Sequence, residues 1–95
     1  MIAMSDLLEN IKGVKRMINV FGVDTKELFQ EISLEIPIEA LRIIVPPRDG
    51  DTMLYLGYKL NIQQVFALNN YLTRKISPDF GAFAYYLVCE GIYKV

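Results

Sequence analysis

Few residues in this chain are equipped for chemistry, and histidine is not among them. Ser-His-Asp catalysis, imidazole acid–base work and the common zinc sites therefore lack their central group. Cys89 is the one thiol. A nucleophilic cysteine needs a base or cation to hold its thiolate, and Leu87, Val88 and Glu90 supply neither. A buried structural cysteine is the expectation. Arg48-Asp49-Gly50-Asp51 sets two carboxylates beside a cation, the start of a Ca²⁺ or Mg²⁺ ligand set. The further ligands and closing glutamate of a calcium loop are missing, so a solvated turn tip is the plainer reading. Asp79, Glu90, Lys59 and Arg74 could be assembled into a carboxylate site, but no spacing singles them out. Gly57, Gly81 and Gly91 stand alone, outside any phosphate-binding motif. The chain reads as a non-enzyme, and no cofactor or metal is implied.

Two surfaces remain as candidates. Lys12, Lys15 and Arg16 fall at i, i+3 and i+4 of an expected helix, a basic face that could contact phosphates together with Arg48. Three cations make a small footprint, and the ordinary reading is the solvated side of an amphipathic helix. The second surface is aromatic. Tyr85, Tyr86 and Tyr93 near the C-terminus, with Phe83 and with Tyr55 from the central region, are residue types enriched where partners bury surface. A central strand covered on both faces would absorb most of them into a core instead.

Composition favours the second surface. Hydrophobic residues make up 53% of the 95-residue chain without counting glycine. Globular domains average roughly 45–50% with glycine included. A single domain this short has a limited core, so the excess suggests a subunit interface. The net charge of −1 gives no bulk attraction to nucleic acid or anionic membrane. Charge is nevertheless uneven: cations gather at 12–16, whereas Asp24, Glu27, Glu31, Glu35 and Glu39 face Lys26 alone. Complementary patches of that kind set the register of subunit pairing. No apolar run approaches the ~20 residues of a membrane span. Met1 to Ser5 has no signal-peptide character, and one cysteine suits a reducing compartment, so a cytoplasmic protein is expected.

The elements that must position these residues read as follows. Asp6, with Glu9 three residues on, caps a helix to Phe21 whose stripe is Leu7, Leu8, Ile11, Val14, Ile18 and Phe21, with Gly22 as its stop. A second helix spans Thr25 to Ile32, capped by Asp24 with Glu27 closing the box. Residues 34–40 alternate around Pro37 as an edge strand or connector, with a helical turn at Pro37 to Leu41 as the alternative. Leu41–Val45 and Thr52–Tyr58 form a hairpin about the Pro46–Asp51 turn. Asn61 and Gln64 make a capping box for a helix from Ile62 to Ile76 with Val65, Phe66 and Leu72 on its stripe. Phe83–Val95 reads as strand by residue preference, although Ser77-Pro78-Asp79 would also start a helix. The expected fold is α+β: one domain over 1–95, about three helices on a small antiparallel or mixed sheet of 3–4 strands, order α-α-(β)-β-β-α-β. The expected function is a non-catalytic interaction or assembly module. It would form a homo-oligomer, most simply a dimer, through the C-terminal strand and hairpin; the alternative is a small nucleic-acid-binding protein.

Overall fold

The computed structural model describes residues 11–93, and the side chains of residues 14–91. In chain order the elements are β1 (Ile11–Gly22), β2 (Leu28–Leu34), α1 (Ile38–Ile44), β3 (Tyr58–Lys59), α2 (Ile62–Asn69) and β4 (Phe83–Tyr93). The strands form one antiparallel sheet in the order β2-β1-β4-β3. The α+β class is as expected. Among the described residues there are two helices rather than three, and the order β-β-α-β-α-β replaces the expected one.

The first correction concerns residues 11–22. Their apolar positions fit a helical stripe, but they fit a strand equally well, with Ile18 and Val20 on one face and Met17 and Phe21 on the other. Ile and Val favour the strand intrinsically, and Gly13 disfavours the helix. Pairing with β4, from Ile11 opposite Tyr93 to Gly22 opposite Phe83, then supplies partners for the backbone. Residues 6–10 of the expected helix lie outside the described residues.

The expected helix at Thr25–Ile32 is instead a turn and β2. Gly22 N donates to Glu27 O at 3.0 Å and Lys26 N donates to Gly22 O at 2.9 Å, closing a hairpin in which Lys26 takes φ 62°. Asp24 and Glu27, read as helix caps, serve this turn. From Gln30 the period is two, with Ile32 and Leu34 buried and Glu31 exposed, while a bulge opposite Val20 and Phe21 takes Leu28 and Phe29 out of that alternation.

The expected hairpin strand at Leu41–Val45 is also corrected, since these residues belong to α1 and its cap. Pro37 is the N-cap, and local bonds (Leu41 N to Pro37 O at 3.0 Å, Val45 N to Leu41 O at 2.8 Å) satisfy the backbone without a neighbouring strand. The helical turn weighed at Pro37 to Leu41 is thus the observed conformation, extended to Ile44. Of the return strand only Tyr58 pairs with β4, joined by Lys59.

α2 starts as expected. Asn61 Oδ1 accepts from Gln64 N at 2.9 Å, and Gln64 Oε1 accepts from Asn61 N at 2.9 Å. It ends at Asn69 rather than Ile76, because β2 captures the chain that follows. Thr73 N donates to Ser33 O at 3.0 Å and Glu35 N to Tyr71 O at 2.9 Å. The Asn69 amide holds Ile76 N at 2.9 Å and Ile76 O at 3.1 Å. Those backbone groups are then spent outside any helix.

Both helices and the loops beside them lie on one face of the sheet. Ile18, Val20, Ile32, Leu34, Tyr58, Tyr85 and Leu87 meet Leu41, Val45, Leu54, Leu60, Val65, Leu68 and Leu72 there in one cluster. Fully burying an aliphatic side chain contributes ~1.5–3 kcal/mol, so this cluster is the main source of stability. Neither described helix is long and apolar enough to cross a membrane.

The capping box closes two backbone donors at the start of α2. Replacing Asn61 by Ala should cost about 1 kcal/mol and lower the melting temperature by roughly 4–8 °C; an unchanged melting curve would show that packing alone holds this helix end.

Candidate interaction surface

Residues of the sheet that face away from the helices form the second surface of the molecule. Cross-strand partners share a face, so the register identifies them. Met17 lies between Ser33 and Val88, Asn19 between Glu31 and Tyr86, and Phe21 between Leu28 and Ala84. Lys59 continues the Asn19 row beyond Tyr86. The described helices do not cover this face, but its centre is not open, since Met17 lies buried there. At its hairpin end is a shallow groove of about 500 Å³, walled by Phe21, Val23, Ala84, Tyr86 and Val88, with Lys26 and Lys59 at its rim. The Phe21 and Tyr86 rings meet edge to face at 5.6 Å, fixing one wall. Further in, Met17 is 6% exposed, and Asn19 Oδ1 is buried without a hydrogen-bond partner among the described residues.

The five expected interface residues are dispersed. Tyr86 is on this groove. Tyr85, its neighbour, points the opposite way into the core at 3% exposure, and its Oη accepts from Asp79 N at 2.8 Å. Phe83 packs at the core margin against Phe29, with ring centroids 4.9 Å apart. Tyr55 is exposed on the loop after Asp51. The Tyr93 side chain lies outside the described ones. Phe21, expected on the buried stripe of a helix, lies on this face instead, as a period-two reading of 14–21 predicts.

The basic helix face is corrected because no helix exists at 12–16. Consecutive strand residues project to opposite sides. Lys15 is exposed beside Glu90, whereas Arg16 turns to the helical side and donates to Met53 O at 2.6 Å. The Lys12 side chain lies outside the described ones. Arg48 is engaged elsewhere: its guanidinium stacks 4.2 Å over the Tyr58 ring and donates to Gly57 O at 2.6 Å.

Asp51 is the other correction. Expected at a solvated tip, it is 5% exposed. Its Oδ1 accepts from Tyr55 N at 2.8 Å, and its Oδ2 accepts from Leu56 N at 3.1 Å and Tyr58 Oη at 2.5 Å. Tyr58 Oη in turn accepts from Arg48 N at 3.1 Å. The carboxylate thus ties the 48–58 loop to β3. This also explains Leu54, which holds φ 57° while fully buried. A left-handed leucine costs ~1–2 kcal/mol, which its burial and the flanking bonds to Asp51 offset. Burial opposes ionisation of Asp51, but the Tyr58, Leu56 and Tyr55 hydrogen bonds and the Arg48 charge outweigh it and hold the carboxyl below its ordinary 3.8. Burial and the Asp51 contact push the Tyr58 hydroxyl above its ordinary 10.0. Cys89 is half-buried, and burial raises its thiol despite the nearby Arg16.

The family described as Domain of unknown function (DUF7683) matches residues 15–88. The chain belongs to that family. The matched span runs from within β1 to Val88 of β4, so it contains both helices, the Asp51 loop and the groove. No curated protein and no solved structure matches the chain.

Asp51→Ala should lower the melting temperature by at least 8 °C, since it strands three donors around a charge-assisted site. A carboxyl held low binds fewer protons folded than unfolded, so its stabilisation is complete above 3.8 and is lost as pH falls through the folded value. Tyr58 has the opposite dependence: its stabilisation is present below 10.0 and is lost as pH rises through its raised folded value. Melting curves of the wild type should fall at both extremes, and Asp51→Ala should flatten the acid limb; an unchanged acid limb would remove Asp51 from this role. A raised thiol also predicts that Cys89 reacts with a disulfide reagent at least tenfold more slowly in the native chain than in denaturant at the same pH. Equal rates would contradict it.

Proposed function

We propose that this family member is a non-catalytic assembly module that pairs with a second copy through the sheet face bearing Tyr86 and Val88. The observation that carries the reading is that the described helices cover one face only, leaving Phe21, Ala84, Tyr86 and Val88 around an apolar groove on the other. Interfaces concentrate their binding energy in aromatic residues seated among apolar neighbours. Tyr86 fits that description, with its ring already fixed by Phe21 and little side-chain entropy left to lose. A second copy is favoured as the occupant because this side of the sheet carries both charge signs, Lys26 and Lys59 at the groove with Lys15 beyond it, against Glu31 and Glu90, so two copies can complement each other. The C-terminal strand contributes through its outward side chains; the 41–58 hairpin expected to assist is absent.

The helical layer also exposes apolar side chains, Ile43 at 82% and Phe66 at 57%. They provide a control. Light scattering on the full chain during size exclusion should give a dimer. Tyr86→Lys should weaken it by about 30-fold or more, and Ile43→Lys should leave it intact. Dissociation by Ile43→Lys alone would move the interface to the helices. A monomer at every concentration, with Tyr86→Lys lowering the melting temperature instead, would overturn the reading.

A further inference from the structure

The groove at the hairpin end of the sheet joins apolar walls to charge of one sign. Phe21, Val23, Tyr86 and Val88 are among its walls, and Lys26 and Lys59 stand at its rim. No carboxylate is among the described residues that line it, although the whole chain carries a net charge of −1. The carboxylates of the same hairpin, Asp24 and Glu27, line a separate hollow beside Leu28 and Phe29. The turn thus sorts its charges, with the cation on the groove and the anions elsewhere. Lys26 adds an independent observation. It holds φ 62°, a left-handed backbone that glycine or asparagine adopts with less strain. The bonds that close the turn, Lys26 N to Gly22 O and Gly22 N to Glu27 O, are all backbone and do not require a lysine side chain. A cationic side chain kept at a strained position beside a cavity points to something it meets there.

We infer that the groove binds a small amphipathic organic acid, with its apolar body on Tyr86 and Val88 and its anionic group held by the rim lysines. The volume of about 500 Å³ suits such a ligand, since small-molecule sites span roughly 300–1,000 Å³. Mostly apolar walls with a few convergent polar groups are also the usual make-up of these sites. Phe21 holds the Tyr86 ring edge to face, so little order is lost when a ligand settles on it. Met17, further in, is buried, which confines the accessible apolar surface to this end and favours a small occupant. The apolar walls provide affinity, and the lysines select an acid over an uncharged molecule of the same shape. The groove is formed within one chain, so the inference goes beyond the proposed pairing. Both use Tyr86 and Val88, and a bound acid therefore competes with a second copy.

Fluorescence titration of the full chain with anilinonaphthalene sulfonate, an apolar ring system bearing one anion, tests the site. Lys26→Gly and Lys59→Gln should each weaken binding about threefold, and the double variant about tenfold. Lys59 also borders the hollow beside Ile62 and Phe80, whereas Lys26 does not, so Lys26→Gly is the decisive variant. Its melting temperature should match or exceed that of wild type, because glycine relieves the left-handed backbone. Loss of binding in a chain at least as stable is an effect that a purely structural lysine would not show. Phenylnaphthylamine, which has the same rings without the charge, should bind wild type and variants alike to within about twofold. Dodecanoate below its micelle concentration should displace the dye and shift light scattering toward the monomer. Lys26→Gly binding the dye like wild type, or dodecanoate failing to displace it, would overturn the inference. So would dye binding that is lost only in Ile43→Lys or Phe66→Lys, on the helical layer. The two proposals fail separately. Lysine-dependent binding by a chain that never dimerises upholds the ligand site and removes the pairing. A dimer lost in Tyr86→Lys but indifferent to both lysine substitutions and to dodecanoate upholds the pairing and removes the ligand site.

Discussion

Everything in this fold depends on the antiparallel pairing of β1 with β4. These strands come from opposite ends of the described chain, and each is long enough to run the length of the sheet. Their contact closes a loop of about sixty residues, an entropic cost that no local interaction recovers. Once made, it fixes alternation on both strands together. Ile18 and Leu87 fall on the helical side with Val20 and Tyr85, while Met17, Phe21, Ala84, Tyr86 and Val88 fall on the other. β2 joins through the hairpin at Gly22, and β3 adds two residues to the outer edge of β4.

The chain between β2 and β4 has one structural task, which is to cover one face of that sheet. It does so economically. α1 spans Ile38–Ile44 and α2 spans Ile62–Asn69, neither long enough for high stability in isolation. They are held by the apolar cluster and by polar groups that replace absent secondary structure: the Asn61–Gln64 box, the Asn69 amide on Ile76, and above all Asp51. A buried carboxylate that satisfies two backbone amides and a tyrosine hydroxyl does for the 48–58 loop what a ladder does for a strand. It also explains how a fully buried leucine keeps a left-handed backbone. Covering the opposite face would require another layer, and no other described element supplies one. That asymmetry underlies the proposal that a second copy does.

What could be read from the sequence was chiefly local. The Asn61–Gln64 box, the start of α2, the strand character of 83–93 and the α+β class were legible because each follows from neighbouring residues. The misreadings at 11–22, 25–32 and 41–45 share one cause. Short apolar runs fit both the helical and the strand period, and capping residues such as Asp24 and Glu27 serve turns as readily as helices. For the candidate surface, residue types near the C-terminus were informative but their directions were not. Tyr85 and Tyr86 are adjacent and chemically identical, yet one lies in the core and the other on the groove.

The sequence by itself determined the α+β class, where glycine and proline interrupt the chain, and that histidine chemistry is absent. Only the tertiary structure decided which side of an element its residues occupy. Side-chain direction in a strand depends on register, and register is set by a partner about sixty residues away. The same nonlocal contact placed Arg16 against Met53 instead of on a basic surface and aligned Glu31 with Lys59 across four strands. None of these juxtapositions has a local signature, because each is made by strand pairing and packing between segments that the chain order keeps apart.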